Sequence, residues 1–152
     1  MAGRIRTDPC VVIGAGPVGL IAALALARRG LPTVVLEAEP QDRVRPGSRA
    51  IALMFPSLWR LDRVLPGLGG QIRAAGVMPT GYDAFYGGRR VFSQHLGAAT
   101  PVLSRLASSL AQRRTEQIVF AECVAHGVEF RWGATVAGLE SSEDGVRVLH
   151  GT

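Results

Sequence analysis

The sequence predicts an α/β fold with a parallel sheet and a closing β-meander, on three observations. An apolar run, Cys10-Val11-Val12-Ile13, feeds the glycine turn Gly14-Ala15-Gly16-Pro17-Val18-Gly19. An alanine- and leucine-rich stretch follows, then a second apolar run, Thr33-Val34-Val35-Leu36, ending on Glu37. Near the C-terminus, short strand-like runs flank the turn Glu143-Asp144-Gly145. Short apolar runs bounded by glycine mark strands, and the stretch between the first two has the composition of a crossover helix.

Taken in order, residues 1–8 form a polar lead and residues 9–37 a strand–turn–helix–strand unit. Gly30 closes the helix after Arg28-Arg29, and Pro32 reinforces the stop. Residues 38–48 carry charge, two prolines and a glycine, and are expected to be loop. Residues 49–64 place Ile51, Leu53, Met54, Leu58, Leu61 and Val64 at roughly helical spacing. Pro56 should split that stretch into two short helices. Residues 65–81, rich in glycine with two prolines, are expected to be irregular. Residues 82–97 read as a hairpin turning at Gly87-Gly88. A long helix is expected over 102–126, closed by Gly127. Strands follow at 128–132, 135–139 and 146–149. Val11–Ile13, Val34–Leu36 and Val128–Phe130 are expected to lie side by side as parallel strands with a right-handed crossover.

Composition narrows the class. The chain has 152 residues, enough for one domain with a real core, and is 47% hydrophobic and 19% charged, as in globular proteins. Net charge is +5, carried by arginine with no lysine. The arginines stand as scattered pairs without interleaved aromatics, which argues against nucleic-acid binding. Cys10 and Cys123 stand apart, with no CxxC and no nearby histidine. This argues against a disulfide framework and a metal site, and for a reducing, cytoplasmic setting. Cys10 is expected to be buried in the first strand. His95, His126 and His150 stand in unlike contexts and read as surface or packing residues. Residues 10–27 are uncharged behind Arg4 and Arg6, long enough for a leader or a membrane span. Gly14, Gly16 and Pro17 in mid-segment fit a turn better, so no membrane association is expected.

The glycine turn carries the chemistry. Gly14 permits a tight turn off the strand, Gly16 lets backbone approach phosphates, and Gly19 lets the helix pack closely. A helix N-terminus offers free N–H groups and partial positive charge to a pyrophosphate. Glu37 stands 23 residues after Gly14, near the spacing of an acid that accepts a ribose hydroxyl. Strand, turn, helix, second strand and acid coincide, and together they specify a Rossmann-like dinucleotide site.

Beyond the turn, the segment Gly47-Ser48-Arg49-Ala50-Ile51, the helix start Gln112-Arg113-Arg114-Thr115-Glu116, and Gly127-Val128-Glu129-Phe130 stand in a particular order. So do Gly138-Leu139-Glu140 and Asp144-Gly145-Val146-Arg147-Val148. This order resembles the single-component FAD-dependent aromatic-ring monooxygenases of the para-hydroxybenzoate hydroxylase type, above all the hydroxylases of polyketide and other phenolic rings. The resemblance runs from about residue 9 to the end. It implies that residues 1–152 are the N-terminal portion of an FAD-binding domain, with NAD(P)H as reductant and a small aromatic molecule as substrate. It further implies that Gly14, Gly16, Pro17 and Gly19 form the pyrophosphate turn and that Glu37 meets the adenosine ribose. Arg49 would stand by the pyrophosphate and flavin, and Gln112 by the ribityl chain. Thr115 and Glu116 are expected to stabilise the helix start, and Phe85, Tyr86 and Phe92 to pack a sheet.

The chain also departs from that family. Members are several hundred residues long, and their later DG and GD segments have no counterpart here. Asp144-Gly145 sits in a hairpin turn and does not match the DG motif. No residue reads as a catalytic acid, base or nucleophile, so the chain alone is expected to be inactive in hydroxylation. Two other readings stand beside this one: a different FAD- or NAD-dependent oxidoreductase, or an inactive truncated nucleotide-binding product. Nothing in the sequence sets an oligomeric state.

Overall fold

The computed structural model describes residues 8–43, 50–78, 81–95 and 107–151. The chain divides into two compact units, one of Met1–Gly47 with Glu116–Thr152 and one of Ser48–Thr115.

The first unit holds the parallel sheet. Strand β1 (Cys10–Ile13) leads through the glycine turn into helix α1 (Pro17–Ala27), which returns to β2 (Thr33–Glu37). Residues 10–27 are therefore strand, turn and helix, and no described helix is long and apolar enough to cross a membrane. Gly30, at a φ of 77°, lets the chain leave α1, and its N–H donates to the Ala27 carbonyl. Strand β7 (Glu129–Trp132) pairs parallel to β2 on the side away from β1, so the three strands lie side by side and parallel, as the sequence predicts, in the order β1-β2-β7.

The two faces of this sheet bury different partners. Val12 faces α1, where its Cγ1 lies 3.5 Å from the space above Gly19. Val12 pairs in register with Val35, and Val35 with Phe130, so all three project to the helical face. There Phe130 meets Phe120 of the long helix α4 (Gln112–Ala125) edge-on, centroids 4.8 Å apart. Trp132 stacks on Phe130 at 5.5 Å. On the opposite face, Val34 and Leu36 are covered by Ala134, Val136 and Val148. The last two belong to the hairpin β8 (Thr135–Ser142) and β9 (Gly145–Gly151), the predicted meander strands. The same face of β1 is thinly covered: Val11 is 40% and Ile13 53% exposed.

Cys10 opens β1 as expected but is only half-buried, because β1 is an edge strand. Cys123 on α4 is fully buried and its Sγ–H donates to the Leu20 carbonyl at 3.3 Å. Burial pushes its thiol up to about 12, so it stays protonated and inert. Iodoacetamide at pH 8 should label Cys10 and spare Cys123 in the native chain, and label both in urea. Equal native labelling, read by mass spectrometry, would contradict this packing.

The second unit corrects the sequence reading in several places. Residues expected to begin a helix at 49 form strand β3 (Ala50–Met54). Residues expected inside the long helix form β6 (Ala107–Ala111), which pairs antiparallel with β3 from Ala50↔Ala111 to Met54↔Ala107. Neither segment has strand propensity of its own beyond Ile51. Each finds its partner more than fifty positions away, and that pairing overrides local preference. The long helix accordingly starts at Gln112, and residues 102–106 lie outside the described residues.

Pro56 begins a helix rather than breaking one: α2 (Phe55–Val64) carries it in its first turn, where a missing N–H costs nothing. Residues expected to be irregular contain α3 (Leu68–Ala75). Their glycines serve its start and its packing. Gly67 caps it at a φ of 90°, and a Cβ on Gly69 would lie 2.3 Å from the Leu58 carbonyl oxygen of α2. Asp62 accepts the Gly69 N–H at 2.8 Å. Leu58, Leu61, Leu68, Ile72, Ala107 and Leu110 form this unit's buried apolar set. The predicted hairpin is β4 (Gly81–Tyr86) and β5 (Arg89–His95), turning at Gly87-Gly88. Two of its aromatics do not pack as expected: Phe85 is 65% and Tyr86 82% exposed.

Candidate dinucleotide site

The site is built at the carboxyl ends of β1 and β2, where parallel sheets bind ligands. Gly14 leaves β1 at a φ of 97°, a backbone state that favours glycine, and its N–H donates to the Leu36 carbonyl at 2.7 Å. The turn is thereby tied to the second strand.

The three glycines do separable jobs. A Cβ on Gly19 would stand 2.0 Å from the Gly14 carbonyl oxygen, so this glycine is required by the protein's own packing. Among the described residues, a Cβ on Gly16 would meet nothing within 4 Å. The space above Gly16 is open, as a site for closely approaching phosphate requires. Gly16 is also the N-cap of α1, with Pro17 at the first helical position. The Leu20 N–H bonds the Gly16 carbonyl, so the Val18 and Gly19 N–H groups have no intrahelical acceptor. The first turn carries no acidic residue, and the Val18 side chain is exposed. Such a terminus suits an anion.

Glu37 closes the site. It is buried at the end of β2, and its Oε2 accepts the Ala15 N–H at 2.6 Å. Its Oε1 accepts the Glu39 N–H at 3.0 Å and an Arg43 N–H at 3.0 Å. Arg43 also pairs with the Glu39 carboxylate. The predicted acid thus stands against the glycine turn. The partners that hold it, Ala15, Glu39 and Arg43, were not legible in the sequence. The signal for Arg43 is one of several arginines in a loop, six positions downstream, too weak to single out.

Gln112 is the first residue of α4, half-buried, and belongs to the second unit. Thr115 is buried in the first turn of that helix, and Glu116, just after it, is half-buried. Arg49 lies outside the described residues. The residues of the first unit fit a dinucleotide: an open glycine turn, a helix N-terminus with no side-chain cap, and a carboxylate bonded to the turn.

A family profile described as "FAD binding domain" matches residues 6–150. Over 141 residues, 91% of this chain, the sequence is 34% identical to the 12-dehydrotetracycline 5-monooxygenase/anhydrotetracycline 6-monooxygenase of Streptomyces rimosus. Over 71 residues, 47% of this chain, it is 51% identical to para-nitrophenol 4-monooxygenase of Pseudomonas sp. strain WBC-3. The matches cover 26% and 17% of those two proteins. Among solved structures, p-nitrophenol 4-monooxygenase PnpA from Pseudomonas putida superposes with a TM-score of 0.72 at 29% identity. That superposition covers 94% of this chain and 38% of PnpA, so the chain spans well under half the length of these relatives.

Proposed function

The chain belongs to the FAD-binding domain family, as found in flavin-dependent aromatic monooxygenases, and from that premise we propose that it forms the adenosine and pyrophosphate part of an FAD cradle. The single observation that carries this reading is the open space above Gly16, set between an uncapped helix N-terminus and the buried Glu37 carboxylate. In this reading residues 1–152 are one portion of an FAD-binding domain, and Gly14, Gly16, Pro17 and Gly19 shape the turn around the pyrophosphate. The Val18 and Gly19 N–H groups donate to it, and Glu37 accepts from the adenosine ribose. Arg49 and Gln112 are proposed for the flavin-side phosphate and the ribityl hydroxyls, as charge-assisted and amide hydrogen bonds would suit.

When bound, FAD supplies the redox chemistry by which such enzymes hydroxylate an aromatic ring with NAD(P)H and O2. The proposed substrate is a phenolic or polycyclic aromatic, as the names of the two monooxygenases above suggest. Hydroxylation is proposed for a whole protein of the relatives' length, in a cytoplasmic setting, with this chain alone inactive. The chain's own residues bind and orient, and none is assigned a proton-transfer role.

Calorimetric titration with FAD, NAD and NADP tests the reading. FAD should bind most tightly and NADP most weakly, because Glu37 repels a 2′-phosphate at that ribose. NADP binding as tight as FAD would refute the assignment, and NAD binding tighter than FAD would favour a nicotinamide-dependent oxidoreductase.

A further inference from the structure

The cluster around Glu37 contains a residue that sequence motifs do not assign. Two carboxylate oxygens offer about four acceptor positions. In the structure Oε1 takes two donors, the Glu39 N–H and Arg43, and Oε2 takes one, the Ala15 N–H. Among the described residues one position remains, on Oε2. Arg43 is itself fixed, with its side chain only 14% exposed and paired with both Glu37 and Glu39. A ribose presents two neighbouring hydroxyls, and an unencumbered carboxylate can accept from both.

We propose that Arg43 is a specificity-determining residue of the ribose site: by occupying Oε1 with the Glu39 N–H, it restricts Glu37 to one ribose hydroxyl, taken at Oε2. The inference rests on the nucleotide reading above. Arg43 acts through Glu37 and is a positioning residue. It holds the carboxylate in the orientation that ties β2 to the glycine turn, and it leaves the second hydroxyl to solvent or to other groups. Removing Arg43 frees a position on Oε1, so both hydroxyls can then be read.

The test compares ADP, 2′-deoxy-ADP and 3′-deoxy-ADP by calorimetry on the 152-residue chain, its Arg43→Met variant and its Arg43→Lys variant. On the unaltered chain one deoxy analogue should bind about tenfold more weakly than ADP, the scale of one hydrogen bond to a charged group. The other should differ by less than about twofold, within the worth of an unmade contact. In Arg43→Met both analogues should lose at least about fivefold relative to ADP, as two such bonds are then made. Arg43→Lys, which can still donate to Oε1, should restore the one-hydroxyl pattern. A merely structural role would lower all three affinities together and leave these ratios unmoved, which would overturn the proposal. Equal losses with both analogues on the unaltered chain would overturn it without recourse to any variant. If the unaltered chain binds ADP and only the pattern fails, the inference falls and the nucleotide reading stands. If it binds no ADP at millimolar concentration, both fall.

Discussion

Gly19→Ala should destabilise the chain by at least about 2 kcal/mol. Overpacking a well-filled site costs about 1–3 kcal/mol and occasionally more. Here the added Cβ meets the Gly14 carbonyl oxygen at 2.0 Å and its carbon at 3.1 Å. Those are main-chain atoms, with no side-chain rotamer through which to withdraw. Gly14 is also held by its bond to the Leu36 carbonyl and by its left-handed backbone. Alanine's better helix propensity offsets about 1 kcal/mol of the cost. The gross cost should therefore stand at or above the top of the overpacking range, about 3 kcal/mol, which leaves at least about 2 kcal/mol net. Urea unfolding followed by far-UV circular dichroism measures it. A midpoint equal to that of the unaltered chain would show that α1 does not press on the turn as described.

Gly16→Val should do the reverse, leaving the fold in place while removing the site. The backbone at Gly16 has a φ of −76°, which any residue can adopt, and its Cβ position is clear to 4 Å. The branched side chain would instead fill the space proposed for the pyrophosphate. Losing two charge-assisted hydrogen bonds, at about 1.5–3 kcal/mol each, corresponds to at least about a hundredfold in affinity. Flavin retention and circular dichroism on the same sample separate the two outcomes. Retention equal to that of the unaltered chain would count against the motif, and loss of the dichroism signal would show a structural role instead. The pair of substitutions thus divides the glycine motif into a residue the protein needs and a residue its ligand needs.

The glycine turn was legible in the sequence because Gly14 takes a left-handed backbone and Gly19 has no room for a Cβ. The sheet was legible for a similar reason. Val34, Val35 and Leu36 are apolar on both faces, as befits β2, a strand flanked on both sides and covered on both faces. The hairpin turns at Gly87-Gly88 and Asp144-Gly145 were equally local signals. What escaped was non-local. Ala107-Ser108-Ser109-Leu110-Ala111 has nothing that marks a strand until it meets Ala50–Met54. The glycines at 67 and 69 suggested disorder of pattern, yet one caps α3 and the other admits the Leu58 carbonyl. At the site, spacing singled out Glu37, which the structure sets against the glycine turn, but could not show Arg43 beside it, because loop conformation between 38 and 43 follows no period. Cys10 was misjudged because burial of a strand depends on neighbours its own sequence does not name.

The pairing of Ala50 with Ala111 has a consequence for how the first unit closes. Strands β2 and β7 must join although a long stretch of chain separates them, with Glu37 opposite Trp132. Closing so long a loop of free chain would carry an entropy cost that rises with the logarithm of its length. The intervening segment is not free, however. It enters and leaves through two strands that are hydrogen-bonded to each other, so once it has folded it acts as a short tether with its two ends already together. The sheet can then form across the insert nearly as if the insert were a brief turn, and changes of length in the β4–β5 hairpin leave that closure untouched.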